Sequence, residues 1–179
     1  ANIASTSLEN DLKVFETAAR TCYRSEDKIK EDSDNELLSK ILKLNHTAMI
    51  EFVGDLVVKF RTNRGVTHEF VRMRLCSFAQ ESTRYVRYDN VDFIMPWWCS
   101  RKDIEREDTY AKMFIEDCEY VSSAYKKRID CGWSAQKARA CLNNDTAAYL
   151  NVKANIREWL HIFSLRCDSP AHPDFRMIT

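Results

Sequence analysis

The chain has 179 residues, 27 basic against 27 acidic, with a formal net charge of zero and only three glycines and three prolines. That length suits one domain with its own core, and the charge balance argues against a general nucleic-acid binder, whose footprint is a basic excess. No run approaches the roughly 18 to 20 apolar residues of a membrane span and no secretory pattern opens the chain. The expectation is a single soluble domain over residues 1–179, in the cytoplasm or, for a viral protein, in the host-cell cytoplasm.

In chain order, LENDLKVFETAARTCY places Leu8, Leu12, Phe15 and Ala19 at helical spacing. The charged SEDKIKEDSDN reads as a loop or helix start, and ELLSKILKLNH as an amphipathic helix ending near His46. Asp55 to Arg61 alternates, with Leu56, Val58 and Phe60 on one face, and reads as a strand. After a TNRG turn, VTHEFVRMR is expected to be a short helix with Thr67 capping it or in its first turn, and with Glu69 and Arg72 sharing a face. RYVRY and DFIM are expected to be two further strands. From about Asp108 to Asp130 a long helix carries Tyr110, Met113, Phe114, Cys118, Val121 and Tyr125 as a core stripe. Ser134 then caps SAQKARACL, and a last helix runs through NIREWLHIFSLR. Strands in the middle with helices at both ends predict an α+β fold.

The chemistry concentrates in RMRLCSFAQESTRY, Arg72 to Tyr85. Arginine offers a planar, permanently charged donor fork suited to phosphates and other planar anions. Arg72, Arg74 and Arg84 stand here, and Arg139, Arg157 and Arg166 follow downstream. Each arginine taken singly reads as one half of a surface ion pair. Ser77, Gln80, Ser82 and Thr83 add neutral donors in the same short stretch, as a nucleotide site requires. Seven cysteines are scattered with no CxxC pair, so no zinc knuckle or dithiol site is signalled. Cys76 lies among cations that favour a thiolate, but no histidine is placed beside it, and it reads as a packed thiol. His46 and Glu51 lack a third partner for a metal, so none is expected; His46 reads as a partner of a helix C-terminus.

The same stretch resembles the signature of the flavin-dependent thymidylate synthases, an Arg-His-Arg triplet followed after seven residues by a serine. Here Arg72-Met73-Arg74 takes the triplet's place and Ser82 is the serine. RGVTHEFVR resembles the helix that leads into the triplet, HTAMIEF the upstream histidine-to-glutamate segment, and AARTCY the N-terminal AARxS-like patch. NIREWLHIFSLRCDSPAHPDFR resembles the C-terminal helix with its arginines and the AQxEIR-like end. The blocks occur in the family's order over most of the chain.

The resemblance implies a mostly antiparallel central sheet with flanking helices. It also implies reductive methylation of dUMP to dTMP, with 5,10-methylenetetrahydrofolate giving the carbon and FADH2, regenerated by NADPH, giving the hydride. Carried over by position, the dUMP contacts fall at Glu69, Arg72, Gln80, Glu81, Ser82, Thr83, Arg84, Arg139 and Arg166. The FAD contacts fall at Glu51, Arg72, Met73, Arg74, Gln80, Asn155, Arg157 and His161. Arg166 matches the arginine credited with favouring loss of the uracil N3 proton; permanently protonated, it stabilises charge and is no base. Ser82 has no adjacent base to activate it, so it would bind rather than attack. The family's homotetramers, with flavin sites between subunits, are the implied assembly; nucleic acid and membrane are not implied partners. Trp97 and Trp98 are expected at an interface, over a planar ligand, or simply as core or surface aromatics.

Three departures stand out: Met73 for the triplet's histidine, Ala48 for a small hydroxyl residue, and His172 for a C-terminal glutamine. The chain also stops sooner after the last motif than family members usually do. A pyrimidine nucleotide hydroxymethylase and a non-catalytic nucleotide-binding homologue are the alternatives these departures keep open.

Overall fold

The computed structural model describes residues 2–5 and 8–179, with side chains from Glu9 onward. Strand β1 (Asn2–Ser5) precedes helix α1 (Leu8–Thr21); after a short 3-10 turn comes α2 (Ser33–Lys43), then a second 3-10 turn, Thr47–Phe52. The central elements are β2 (Asp55–Asn63), α3 (Arg64–Phe70) and β3 (Ser77–Gln80), followed by the short α4 (Arg101–Glu105) and the long α5 (Thr109–Asp130). The chain ends with α6 (Ala135–Ala138), β4 (Ala147–Asn155), α7 (Ile156–Arg166) and α8 (Pro173–Arg176).

The four strands form one antiparallel sheet in the order β1-β2-β4-β3. The expected α+β fold is therefore present. Register decides the core: Val58 lies opposite Val152, Phe60 opposite Leu150 and Leu56 opposite Ala154. With side chains alternating along each strand, these residues all point to one face. There Val66 and Phe70 of α3, Trp159 and Ile162 of α7, and Phe175 of α8 cover them. The opposite face carries Lys59, Arg61, Tyr149 and Lys153, all exposed, with the Lys59 ammonium 4.8 Å from the Tyr149 ring centroid. A second cluster joins α1 and α2 through Phe15, Ala19, Ile41, Ile50 and Val53, and a third joins α5 to α6 and to the segment after β3 through Val91, Tyr125, Ile129 and Ala138.

Several sequence expectations change. TNR is not a turn: Thr62 and Asn63 finish β2, and Arg64 already begins α3. The cap is Asn63, whose side-chain oxygen accepts from Val66 N at 2.8 Å, while Thr67 lies inside the helix and donates to the Arg64 carbonyl at 2.9 Å. RYVRY forms no strand because the chain turns there, with the amides of Tyr85 and Val86 both donating to the Ser82 carbonyl. DFIM contributes only an isolated bridge, Phe93 to Thr146. The sheet takes instead Ser77–Gln80 and Ala147–Asn155. The latter alternates cleanly, but its Ala, Asn and Lys content has weak strand propensity and hides the pattern.

On α5, Cys118, Val121 and Tyr125 are buried as expected, but Tyr110 and Met113 are exposed, because at this end of the helix the packed side is carried by Ala111, which is 1% exposed. Leu8 lies outside the described side chains. Ser134 precedes α6 without a side-chain cap bond. His46 lies two residues beyond Leu44, the C-cap of α2, and meets the helix end through its backbone, the amide donating to the Ile41 carbonyl at 3.0 Å before the Thr47–Phe52 turn. Trp97 and Trp98 are both half-exposed; Trp98 meets Phe114 edge-on at 6.1 Å, and the Trp97 amide donates to Asp174.

Candidate functional site

Helix α3 and the segment after it carry most of the predicted residues. The Asn63 cap is itself locked, because its Nδ2 donates to buried Asp174 at 3.0 Å. From this anchored start, Glu69 falls near the C-terminus of α3. The helix then closes through Arg72 N to Glu69 O and Met73 N to Phe70 O. Residues 72 to 74 alternate as the chain leaves the helix: Met73 is buried in the main core, while Arg72 and Arg74 are exposed on either side of it. Neither guanidinium has a hydrogen bond or ion pair among the described residues. Met73 therefore offers a ligand only its backbone, a correction to any side-chain role at that position.

Arg166, at the end of α7, reaches back across the core to α3. Its Nη1 donates to Glu69 Oε2 at 3.1 Å and its Nη2 to the Glu69 carbonyl at 3.4 Å, and the guanidinium lies 4.9 Å from the Phe175 ring centroid. Among the described residues, Arg166 Nε is a buried donor with no partner. Such a donor costs free energy unless something accepts from it, and a ligand acceptor fits that need.

The next residues build a second surface. Gln80 Nε2 donates to Thr67 Oγ1 at 3.0 Å, and Tyr88 Oη donates to Glu81 Oε1 at 2.5 Å. Burial, then that bond to Glu81, pushes the Tyr88 phenol well above its ordinary range. The Ser82 hydroxyl accepts from Arg84 N at 3.4 Å, a local turn contact with no base beside it. Buried Thr83 accepts from Arg139 Nη1 at 3.2 Å, and Arg84 Nε donates to Gln136 at 3.2 Å. Thr83 and Arg139 border a cleft of about 440 Å³ that Arg64, His68, Asn143 and Asn144 also line. Sequence reasoning did not single out those four. The signal was present for two of them, since Arg64, His68 and Arg72 recur at i, i+4.

The predicted cofactor residues cluster at the start of α7. Asn155 caps that helix by accepting from Glu158 N at 2.9 Å, and Arg157 pairs with Glu51 at 2.5 Å. Glu51, Asn155, Arg157 and His161 line a cavity of about 260 Å³ together with Leu75, the residue after Arg74. Arg157 also borders a neighbouring cavity of about 420 Å³ that contains Ala48. Unpartnered Arg72 and Arg74, an exposed leucine and a polar cavity wall fit a planar group with an anionic tail. The structure thus groups Arg157, Glu51, Asn155 and His161, groups Thr83 and Arg139, and pairs Glu69 with Arg166. Gln80, Glu81, Ser82 and Arg84 instead use their side chains within the protein.

Cys76 is no thiolate here: burial, then Glu158, pushes its thiol up to about 11. His172 has a local reason for its place, since its ring Nδ1 accepts from Asp174 N and starts α8.

Residues 3–179 match the protein family described as thymidylate synthase complementing protein. The flavin-dependent thymidylate synthase of Geobacter sulfurreducens is 29% identical over 169 residues, covering 90% of this chain and 71% of that protein. That of Clostridium tetani is 30% identical over 189 residues, covering 93% and 74%. Among solved structures, a UMP/dUMP methylase, PolB from Streptomyces cacaoi, bound with 5-Br dUMP, aligns with a TM-score of 0.72. It is 22% identical, and the match covers 99% of this chain and 86% of that one, a likeness of fold.

Proposed function

Because the chain belongs to the thymidylate synthase complementing protein family, we propose that it is a flavin-dependent thymidylate synthase, converting dUMP to dTMP. The observation that carries the reading is Arg166, held by Glu69 with its Nε buried and, among the described residues, unpartnered beside the arginine-rich segment. A fixed cation in a partly desolvated place stabilises negative charge as it develops on a ring, a contribution of about 3–4 kcal/mol at such sites. The uracil edge is the group it suits, and removal of the N3 proton is the step it favours.

Arg139 and Thr83, with Arg64 and His68 across the same cleft, suit the phosphate end of the nucleotide. Arg72 and Arg74 hold the cofactor from one side, with Arg157, Asn155 and His161 on the other. When bound, the flavin supplies the hydride. Exposed Leu75, which lines the same cavity as Arg157, Asn155 and His161, excludes water from such a planar group once a neighbouring subunit closes over it. No protein nucleophile enters: Ser82 has no base, and Cys76 keeps its proton at neutral pH. Methylenetetrahydrofolate is the carbon donor and NADPH the reductant in this reading. The working form is a homotetramer with its sites between subunits, in the cytoplasm; no described helix is long and apolar enough to cross a membrane.

The test is an absorbance spectrum of the purified protein, followed by dUMP-dependent oxidation of its reduced flavin and mass analysis of the nucleotide product. The expected product is dTMP. A protein that never holds flavin, or a hydroxymethylated product, rejects the reading.

A further inference from the structure

Two segments singled out in the sequence, AARTCY and HTAMIEF, meet around a cavity that the residue roles above leave unused. It measures about 420 Å³ and lies between α1, the turn after it and α2. Its floor is apolar: Ala19 and Ile41 are buried, with Leu37 and Met49 packed beside them. Arg20 also lines it, but Glu16 accepts from Arg20 Nε at 2.9 Å and from Nη2 at 2.8 Å, and takes a third bond from Ser33 Oγ at 2.7 Å. That pair is closed on itself and nearly neutral.

The uncompensated charge comes from Lys28 and Lys40, which line the cavity and whose ammonium groups have no hydrogen bond or ion pair among the described residues. Lys30, close by, is already paired with Glu36 at 3.9 Å. Tyr23 and Leu44, also in the lining, are 76% and 53% exposed, so large apolar surface stays wet beside an apolar floor. Tyr23, His46 and Met49 are shared with the cavity that Arg157 borders, which makes this space a continuation of the cofactor surface.

We propose that this cavity binds the tail of a co-substrate, a planar aromatic body ending in carboxylates or a phosphate. The floor takes the ring and the two ammonium groups take the anion, the division of labour usual in small-molecule sites. The proposal rests on the reaction inferred above, two of whose co-substrates have such an end. One is the aminobenzoyl-glutamate of the folate, the other the phosphorylated adenosine of NADPH.

N-(4-aminobenzoyl)-L-glutamate and adenosine 2′,5′-bisphosphate, titrated calorimetrically into the full chain, separate the two sources. One of them is expected to bind. Lys28→Glu with Lys40→Glu is expected to weaken it by about tenfold or more, from two charge contacts reversed, while FAD and 5-bromo-dUMP affinities stay within about twofold. Silence from both probes, or equal affinity in the double variant, overturns the proposal. Displacement of the probe by saturating FAD overturns it too, by giving the cavity to the flavin. So does a change of oligomeric mass in the double variant, which makes the cavity a subunit contact. Failure of the unaltered protein to bind 5-bromo-dUMP or flavin counts instead against the proposed reaction, independently of the probe result.

Discussion

Arg166 turns two of its three nitrogens to Glu69 and leaves the third, Nε, buried without an acceptor among the described residues. Its Glu69 partner is 36% exposed, so loss of the pair leaves a carboxylate that water can reach, and the stability cost is small. Arg166→Ala should therefore lower single-turnover rate by about 10²–10³ with little change in denaturation midpoint; retained turnover would remove its assigned role. Cys76 illustrates the reverse case, a residue whose position invites a catalytic reading that its surroundings deny. With its thiol pushed up to about 11, Cys76 should alkylate with iodoacetamide at pH 7.5 far more slowly than exposed Cys22 or Cys167. Mass mapping checks this, and preferential labelling of Cys76 would contradict it.

Helix α3 carries both Glu69 and the segment that displays Arg72 and Arg74, and its placement depends on one buried amide. Asn63 accepts from Val66 N and donates to Asp174, whose other oxygen accepts from the Trp97 amide. Asn63→Ala removes a helix cap and strips a buried carboxylate of one donor, a loss of about 2–3 kcal/mol readable by urea denaturation. An unchanged midpoint would show that the cap is dispensable. Helix α5 offers a pH signature. Burial, then Asp145, raises the Cys118 thiol from 9.0 to about 11. A folded thiol pKa above the unfolded one gives stability that is fully present below pH 9 and lost as pH rises towards 11. Urea midpoints should fall across that window, and Cys118→Ala should make the fall shallower; a variant as steep as the parent would assign the effect elsewhere.

At the scale of the molecule, one of three hydrophobic clusters is built on the four-stranded sheet, whose other face carries exposed Lys59, Arg61, Tyr149 and Lys153. The candidate cofactor residues lie at the surface, with Arg157, Glu51 and His161 all reached by solvent. A single chain so open encloses little of a large planar cofactor, whereas good small-molecule sites bury most of their ligand. In size-exclusion chromatography with absorbance at flavin wavelengths, the flavin should travel with a species of about four chains. Flavin retained on a monomer would overturn the shared-site assembly.

The sequence alone was enough for the helices α1, α2, α5 and α7, for strand β2 and for the family, because those rest on local periodicity and on ordered blocks of residues. It also concentrates the expected ligand contacts in Arg72 to Tyr85, and that placement belongs to the proposed function. It could not assign that segment's residues to inside or outside: Met73 looks like a damaged ligand in sequence and is a core residue in the fold. Nor could it find β4, whose alanines and asparagines become a strand only because β2 and β3 bond to both its edges. The pairing of Glu69 with Arg166 joins residues 97 positions apart. Such contacts are set by which faces pack, a property of the whole chain's burial that no local window contains.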